Sequence, residues 1–124
     1  MKKLITSLLA ATLLLGATAL TSHAAETAPK SVIHVVTVSW KAGTTPEQIQ
    51  AALDGVKALP KNFPGITRVW TKSIKVQGGK TNAIVMEFAN EQALKDYSGS
   101  DAQKEWYKAY TPIRESSTTF DITN

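Results

Sequence analysis

Residues 31–40 read Ser31-Val32-Ile33-His34-Val35-Val36-Thr37-Val38-Ser39-Trp40. β-branched residues dominate this stretch, which predicts a strand. Val32, Val36, Val38 and Trp40 fall on one face, and Ile33 and Val35 on the other. A strand apolar on both faces belongs to a sheet covered on both sides. That requirement governs the rest of the reading.

Downstream, Lys41–Thr44 is a loop. Thr45-Pro46 opens a helix, with Thr45 as N-cap, Pro46 in the first turn and Gln48 completing a capping box. Ile49, Leu53, Val56 and Leu59 form its apolar stripe, and Pro60 is expected to end it. Phe63-Pro64-Gly65 is a turn. Residues 66–76 predict a second strand, Gln77-Gly78-Gly79-Lys80 a hairpin turn and residues 81–89 a third strand. Asn90 caps a short helix with Ala93, Leu94 and Tyr97 inward. Ser98-Gly99-Ser100 breaks it, Asp101 is expected to cap the next helix, and residues 117–123 form the last strand.

The order is βαββαβ with a split last helix. It predicts an α+β, ferredoxin-like fold, a four-stranded antiparallel sheet with helices on one face. Right-handed crossovers are expected to make the strands flanking each helix neighbours. Nothing in the chain remains to cover the other sheet face, so a homodimer pairing sheet to sheet is expected, a dimeric α/β barrel.

Upstream, a basic start at Lys2-Lys3 precedes the apolar residues 4–20 and the small-residue end Ser22-His23-Ala24. This is the pattern of a secretory signal peptide over residues 1–24, cleaved after Ala24. Residues 25–30 read as a flexible arm, and residues 31–124 as the domain. The expected location is periplasmic or secreted, with no membrane association after cleavage.

The full chain has 124 residues, 14 basic against 10 acidic. Removal of Lys2 and Lys3 leaves 12 basic residues and a net charge of +2, with no basic stripe for nucleic acid. Cysteine is absent, which excludes disulfides, thiolate nucleophiles and zinc–thiolate sites. His34 is the one histidine beyond residue 24, so no multi-histidine metal site is expected. No phosphate-binding glycine loop or nucleophile elbow occurs, and no cofactor is expected.

The chain resembles the stress-responsive α/β-barrel (Dabb) family. The matching pieces are Ile33-His34-Val35-Val36, Pro64-Gly65-Ile66, the block from Met86 to Tyr97, Trp106 to Pro112, and Phe120-Asp121. The resemblance implies a dimeric barrel with an apolar pocket between each sheet and its helices. In a plant polyketide cyclase of the family that pocket is catalytic. The chain departs from the family pattern after Tyr97. Ser100 and Gln103 stand where two histidines are usual, and Asn82 replaces a histidine of the cyclase.

His34, Val36, Asn82, Tyr97, Gln103 and Trp106 are the candidate ligand-binding residues, and His34 with Tyr97 the candidate catalytic pair. Histidine titrates near working pH and suits general-base chemistry, although a hydrogen-bonded core histidine is the commoner case. Tyr97 could donate to a ligand, although packing is the commoner role for such a tyrosine. Trp106, Tyr107, Tyr110, Trp40 and Trp70 could line a pocket for a planar ligand, and Met86 reads as core. Glu87 is expected to pair with Arg68 or a lysine across strands, with Asp121 the one strand acid that could join it. The leading expectation is an exported dimer binding a small, largely apolar molecule. The alternatives are a cyclase-like or monooxygenase-like enzyme, and a stress-associated structural dimer without ligand.

Overall fold

A computed structural model describes residues 29–124. The expected signal peptide at residues 1–24 and most of the expected arm at 25–30 lie outside the described residues. Of the arm, Pro29 accepts a hydrogen bond from the Asn124 side chain at 3.4 Å.

The elements are β1 (Val32–Trp40), α1 (Pro46–Asn62), β2 (Ile66–Trp70), β3 (Asn82–Phe88), α2 (Glu91–Tyr97), α3 (Asp101–Tyr110) and β4 (Arg114–Ile122). They form one sheet in the order β2-β3-β1-β4, antiparallel throughout. The fold is the expected ferredoxin-like α+β arrangement, but its crossovers are wider than expected. β3 separates β1 from β2, and β1 separates β3 from β4. A helix is about 10 Å across, close to two strand spacings. A helix lying on the sheet thus spans a gap that one more strand fills.

The register fixes the two sheet faces. Val32 pairs with Phe88, His34 with Met86 and Val36 with Ile84. These residues face the helices, where Val38, Ile84, Met86, Phe88, Val56 and Leu59 are fully buried. On the opposite face, Ile33 pairs with Glu87 and Ile122, and Val35 with Val85 and Phe120. No element among the described residues covers that face.

Thr45 caps α1 as its sequence predicts. The Thr45 hydroxyl accepts from the Gln48 N–H at 3.2 Å, and the Gln48 side chain accepts from the Thr45 N–H at 2.9 Å. Pro60 does not end the helix, which runs on to Asn62. A proline in the final turn forfeits one helical bond, and the Phe63 N–H still closes on the Leu59 carbonyl at 2.7 Å.

β2 is shorter than expected and stops at Trp70. The Ser73 hydroxyl explains this. It accepts from the Ala83 N–H at 2.8 Å and donates to the Ala83 carbonyl at 3.1 Å, taking the backbone partners a longer β2 would use. Gly78 and Gly79 do form a turn at positive φ, but in a loop rather than a tight hairpin. Ser100, not Asp101, caps α3, its hydroxyl accepting from the Gln103 N–H at 3.2 Å. Asp101 opens the helix, where its charge complements the helix dipole.

α1 and α3 pack closely through Gly55. A Cβ there would lie 2.8 Å from Cδ1 of Trp106. The Trp106 indole donates to the Ala52 carbonyl at 2.9 Å, and its ring stacks on Tyr110 at 4.5 Å. These contacts hold α3 over the sheet and define one wall of a cavity.

Candidate ligand-binding site

The cavity lies between the inner sheet face and helices α2 and α3, with a volume of about 340 Å³. Its floor comes from β1 and β4, through His34, Val36, Ser117, Thr119 and Asp121. Its wall comes from the helices, through Leu94, Tyr97, Gln103, Trp106, Tyr107 and Tyr110. Arg114 and Lys95 also line it. The volume lies at the lower end of the small-molecule range. Trp106 lines the space rather than filling it, and Phe88 is buried behind it.

Five of the six candidate binding residues meet here: His34, Val36, Tyr97, Gln103 and Trp106. Asn82 does not. Its side-chain oxygen accepts from the Trp40 indole at 2.8 Å, so it serves to fix Trp40. Gln103 ties the turn between α2 and α3 to the wall. Its side chain accepts from the Gly99 N–H at 2.7 Å and donates to the Tyr107 hydroxyl at 3.2 Å.

His34 Nδ1 lies 2.6 Å from an Asp121 carboxylate oxygen. A carboxylate accepts, so Nδ1 carries the hydrogen of this bond. His34 is mostly covered, whereas Asp121 is half exposed. The pair spans strands that are adjacent only through the observed sheet order. Topology with β4 beside β3 hides it, and strand alternation combined with β1–β4 pairing would have found it.

Among the described residues, the buried hydroxyls of Tyr97 and Tyr110 have no hydrogen-bond partner. Burial pushes the Tyr97 phenol well above its ordinary range, so it is a neutral donor at any working pH. Burial likewise raises the Tyr107 phenol, and the neighbouring Tyr110 adds to this. No hydrogen bond joins His34 to Tyr97. Phe88 packs against both rings, with centroids 5.9 Å from His34 and 5.3 Å from Tyr97.

Glu87 lies on the other sheet face and is nearly buried. Arg68 donates to its carboxylate, as one of the expected pairings has it. That hydrogen bond holds Glu87 below the usual carboxylate range. Glu87 and Asp121 project from opposite faces, so they form no carboxylate pair.

A search of curated proteins finds no match. Solved structures share the fold at identities that establish nothing more. A Passiflora edulis hydroxynitrile lyase matches with a TM-score of 0.69 and 18% identity, over 77% of this chain and 94% of that one. A dimeric ferredoxin-like protein of unknown function from Bacteroides fragilis matches at 0.62 and 18%, over 79% and 100%. A candidate antibiotic biosynthesis monooxygenase from Caulobacter crescentus matches at 0.62 and 20%, over 77% and 91%. The profile of the Stress responsive A/B Barrel Domain matches residues 32–124. With three-quarters of its length matched, the chain belongs to the stress-responsive α/β-barrel (Dabb) family.

Proposed function

We propose that this chain is an exported protein that pairs with a second copy through its outer sheet face and binds a small molecule in the inner cavity. The observation that carries the binding role is the cavity itself. It sets an aromatic wall against a polar strand floor. The lining is more polar than a purely apolar ligand calls for, because β4 contributes Ser117, Thr119 and Asp121. The occupant therefore has an apolar body and polar groups. A dimer with only a structural role has no need of this space.

The pairing rests on exposed apolar side chains. Trp70, Phe120 and Ile122 are 45%, 54% and 60% exposed on one face. Exposed apolar patches of this kind mark interaction surfaces. Sheet-to-sheet pairing would cover them, and the Bacteroides fragilis neighbour is described as dimeric. Export rests on the leader pattern at residues 1–24.

Native mass spectrometry of protein purified from its own host tests this reading. The expected mass is twice the processed chain plus an adduct on the order of a few hundred daltons, the size such a cavity takes. Val36→Trp, which fills the cavity, is expected to remove the adduct and keep the dimer. A clean dimer without adduct contradicts the retained ligand, and a monomer contradicts the pairing.

A second reading, an enzyme, is favoured by the His34–Asp121 pair. Asp121 would orient His34 so that Nε2 takes a proton from the bound molecule, with Tyr97 donating a hydrogen bond. Under this reading His34→Ala lowers turnover of the identified ligand by about 10²–10⁴-fold. Under the binding reading it lowers affinity only modestly.

A further inference from the structure

The cavity has two chemically different ends. At one end His34 engages Asp121, and Lys95 shares that region of the lining. At the other end stands Arg114, placed there by an irregularity in β4. Alternation sends Ser117, Thr119 and Asp121 inward and would send Glu115 inward with them. The register shifts between Ser39 and Trp40, so Trp40 pairs with Arg114 and Glu115 becomes the extra residue. A bulge of this kind re-aims the side chains beside it. Here it puts a guanidinium where strict alternation would put a carboxylate. Glu115 is exposed and does not line the cavity.

The Arg114 guanidinium lies over the Tyr110 ring, 5.4 Å from its centroid. Among the described residues no carboxylate forms an ion pair with it. Its partner on β1, Trp40, stands six residues from His34. Those positions are about 20 Å apart along the strand, which makes the cavity a trough.

We infer that the cavity takes an elongated, singly charged carboxylic acid. Its carboxylate sits on Arg114, its apolar body lies along Trp106, Tyr107 and Tyr110, and its far end reaches toward His34. A guanidinium presents a planar fork that matches a carboxylate with two parallel hydrogen bonds. Arg114 is the one cation at its end of the cavity, Lys95 lying at the His34–Asp121 end, so a single guanidinium meets one unit of negative charge there, which favours a carboxylate over a phosphate dianion. Seating on the Tyr110 face holds the fork in place without neutralising it. This inference rests on the cavity being a ligand site, as proposed above.

Calorimetric titration with 4-phenylbutanoate and decanoate, each beside its primary amide, tests the inference. The protein is expected to bind at least one acid about tenfold or more tightly than its amide, the margin a charge-assisted pair supplies. Arg114→Gln is expected to erase that preference while leaving amide binding in place. Arg114→Lys is expected to keep part of the preference, and Glu115→Gln all of it. Equal binding of acid and amide overturns the carboxylate assignment and leaves the cavity reading standing. A preference that survives Arg114→Gln overturns the role of Arg114. Failure of all four probes to bind overturns both the assignment and the cavity reading.

Discussion

β1 presents two faces with opposite fates. Its inner face, built on Val32, Val36 and Val38, is closed by the helices of its own chain. Its outer face, built on Ile33 and Val35, meets Phe120, Ile122 and Val85 and no helix. The inner face is apolar at its centre and gains polar groups at the cavity, through His34 and β4, and at Asn82, which holds the Trp40 indole. The outer face carries exposed apolar side chains at Trp70, Phe120 and Ile122, and buries Glu87 beneath an exposed Arg68. A single strand pattern thus encodes one surface that its own chain completes and one that it leaves open. Family membership and fold are established, and the division of labour between a binding face and a pairing face is what we propose.

The largest effect is expected from breaking the inner face. Phe88 is fully buried and touches both His34 and Tyr97, so Phe88→Ala should cost about 3–5 kcal/mol in urea unfolding. The outer face should respond differently. Phe120→Asp should weaken association by about 2 kcal/mol or more, read by sedimentation, while the circular dichroism of the protomer stays unchanged. Loss of the fold instead would mean that Phe120 belongs to the protomer's own core.

A smaller effect tests how the helices close the inner face. Gly55→Ala pushes a methyl group against Trp106. Overpacking costs about 1–3 kcal/mol, and the better helix propensity of alanine returns about 1 kcal/mol. A net loss is expected, with a change in tryptophan fluorescence as the indole shifts. A net gain would show that α1 and α3 separate freely.

The smallest effect concerns the charged pair of the outer face. Glu87 titrates below the ordinary glutamate range in the folded protein, because Arg68 donates to it. Its stabilisation is therefore present above that range and is lost as pH falls through the lowered value. Glu87→Gln should flatten this acid limb of the stability–pH profile. An unchanged limb would assign acid sensitivity to other carboxylates.

Much of this was legible in the sequence where the signal is local. The Thr45–Gln48 capping box, the α1 stripe and the two-faced β1 each declare themselves within a few residues. β2 was misjudged because Ser73 replaces ladder bonds with its side chain, which composition does not reveal. The cavity residues on α2 and α3 followed from helical spacing and the family resemblance. Asn82 was misplaced because strand position alone does not show that Trp40 reaches it. The His34–Asp121 pair joins residues 87 apart in sequence and depends on which strand neighbours which. Arg114 was invisible for a related reason, since a bulge shifts the alternation by which inward residues are counted.

The most direct test of the two-face account is amide and methyl NMR of the labelled protein under two perturbations. Addition of 4-phenylbutanoate should shift Val36, Thr119 and Trp106, and dilution below the dissociation constant should shift Val35, Val85 and Phe120. Each perturbation should leave the other set in place. Ligand-induced shifts centred on Val35, Val85 and Phe120 would put binding on the outer face and contradict the account.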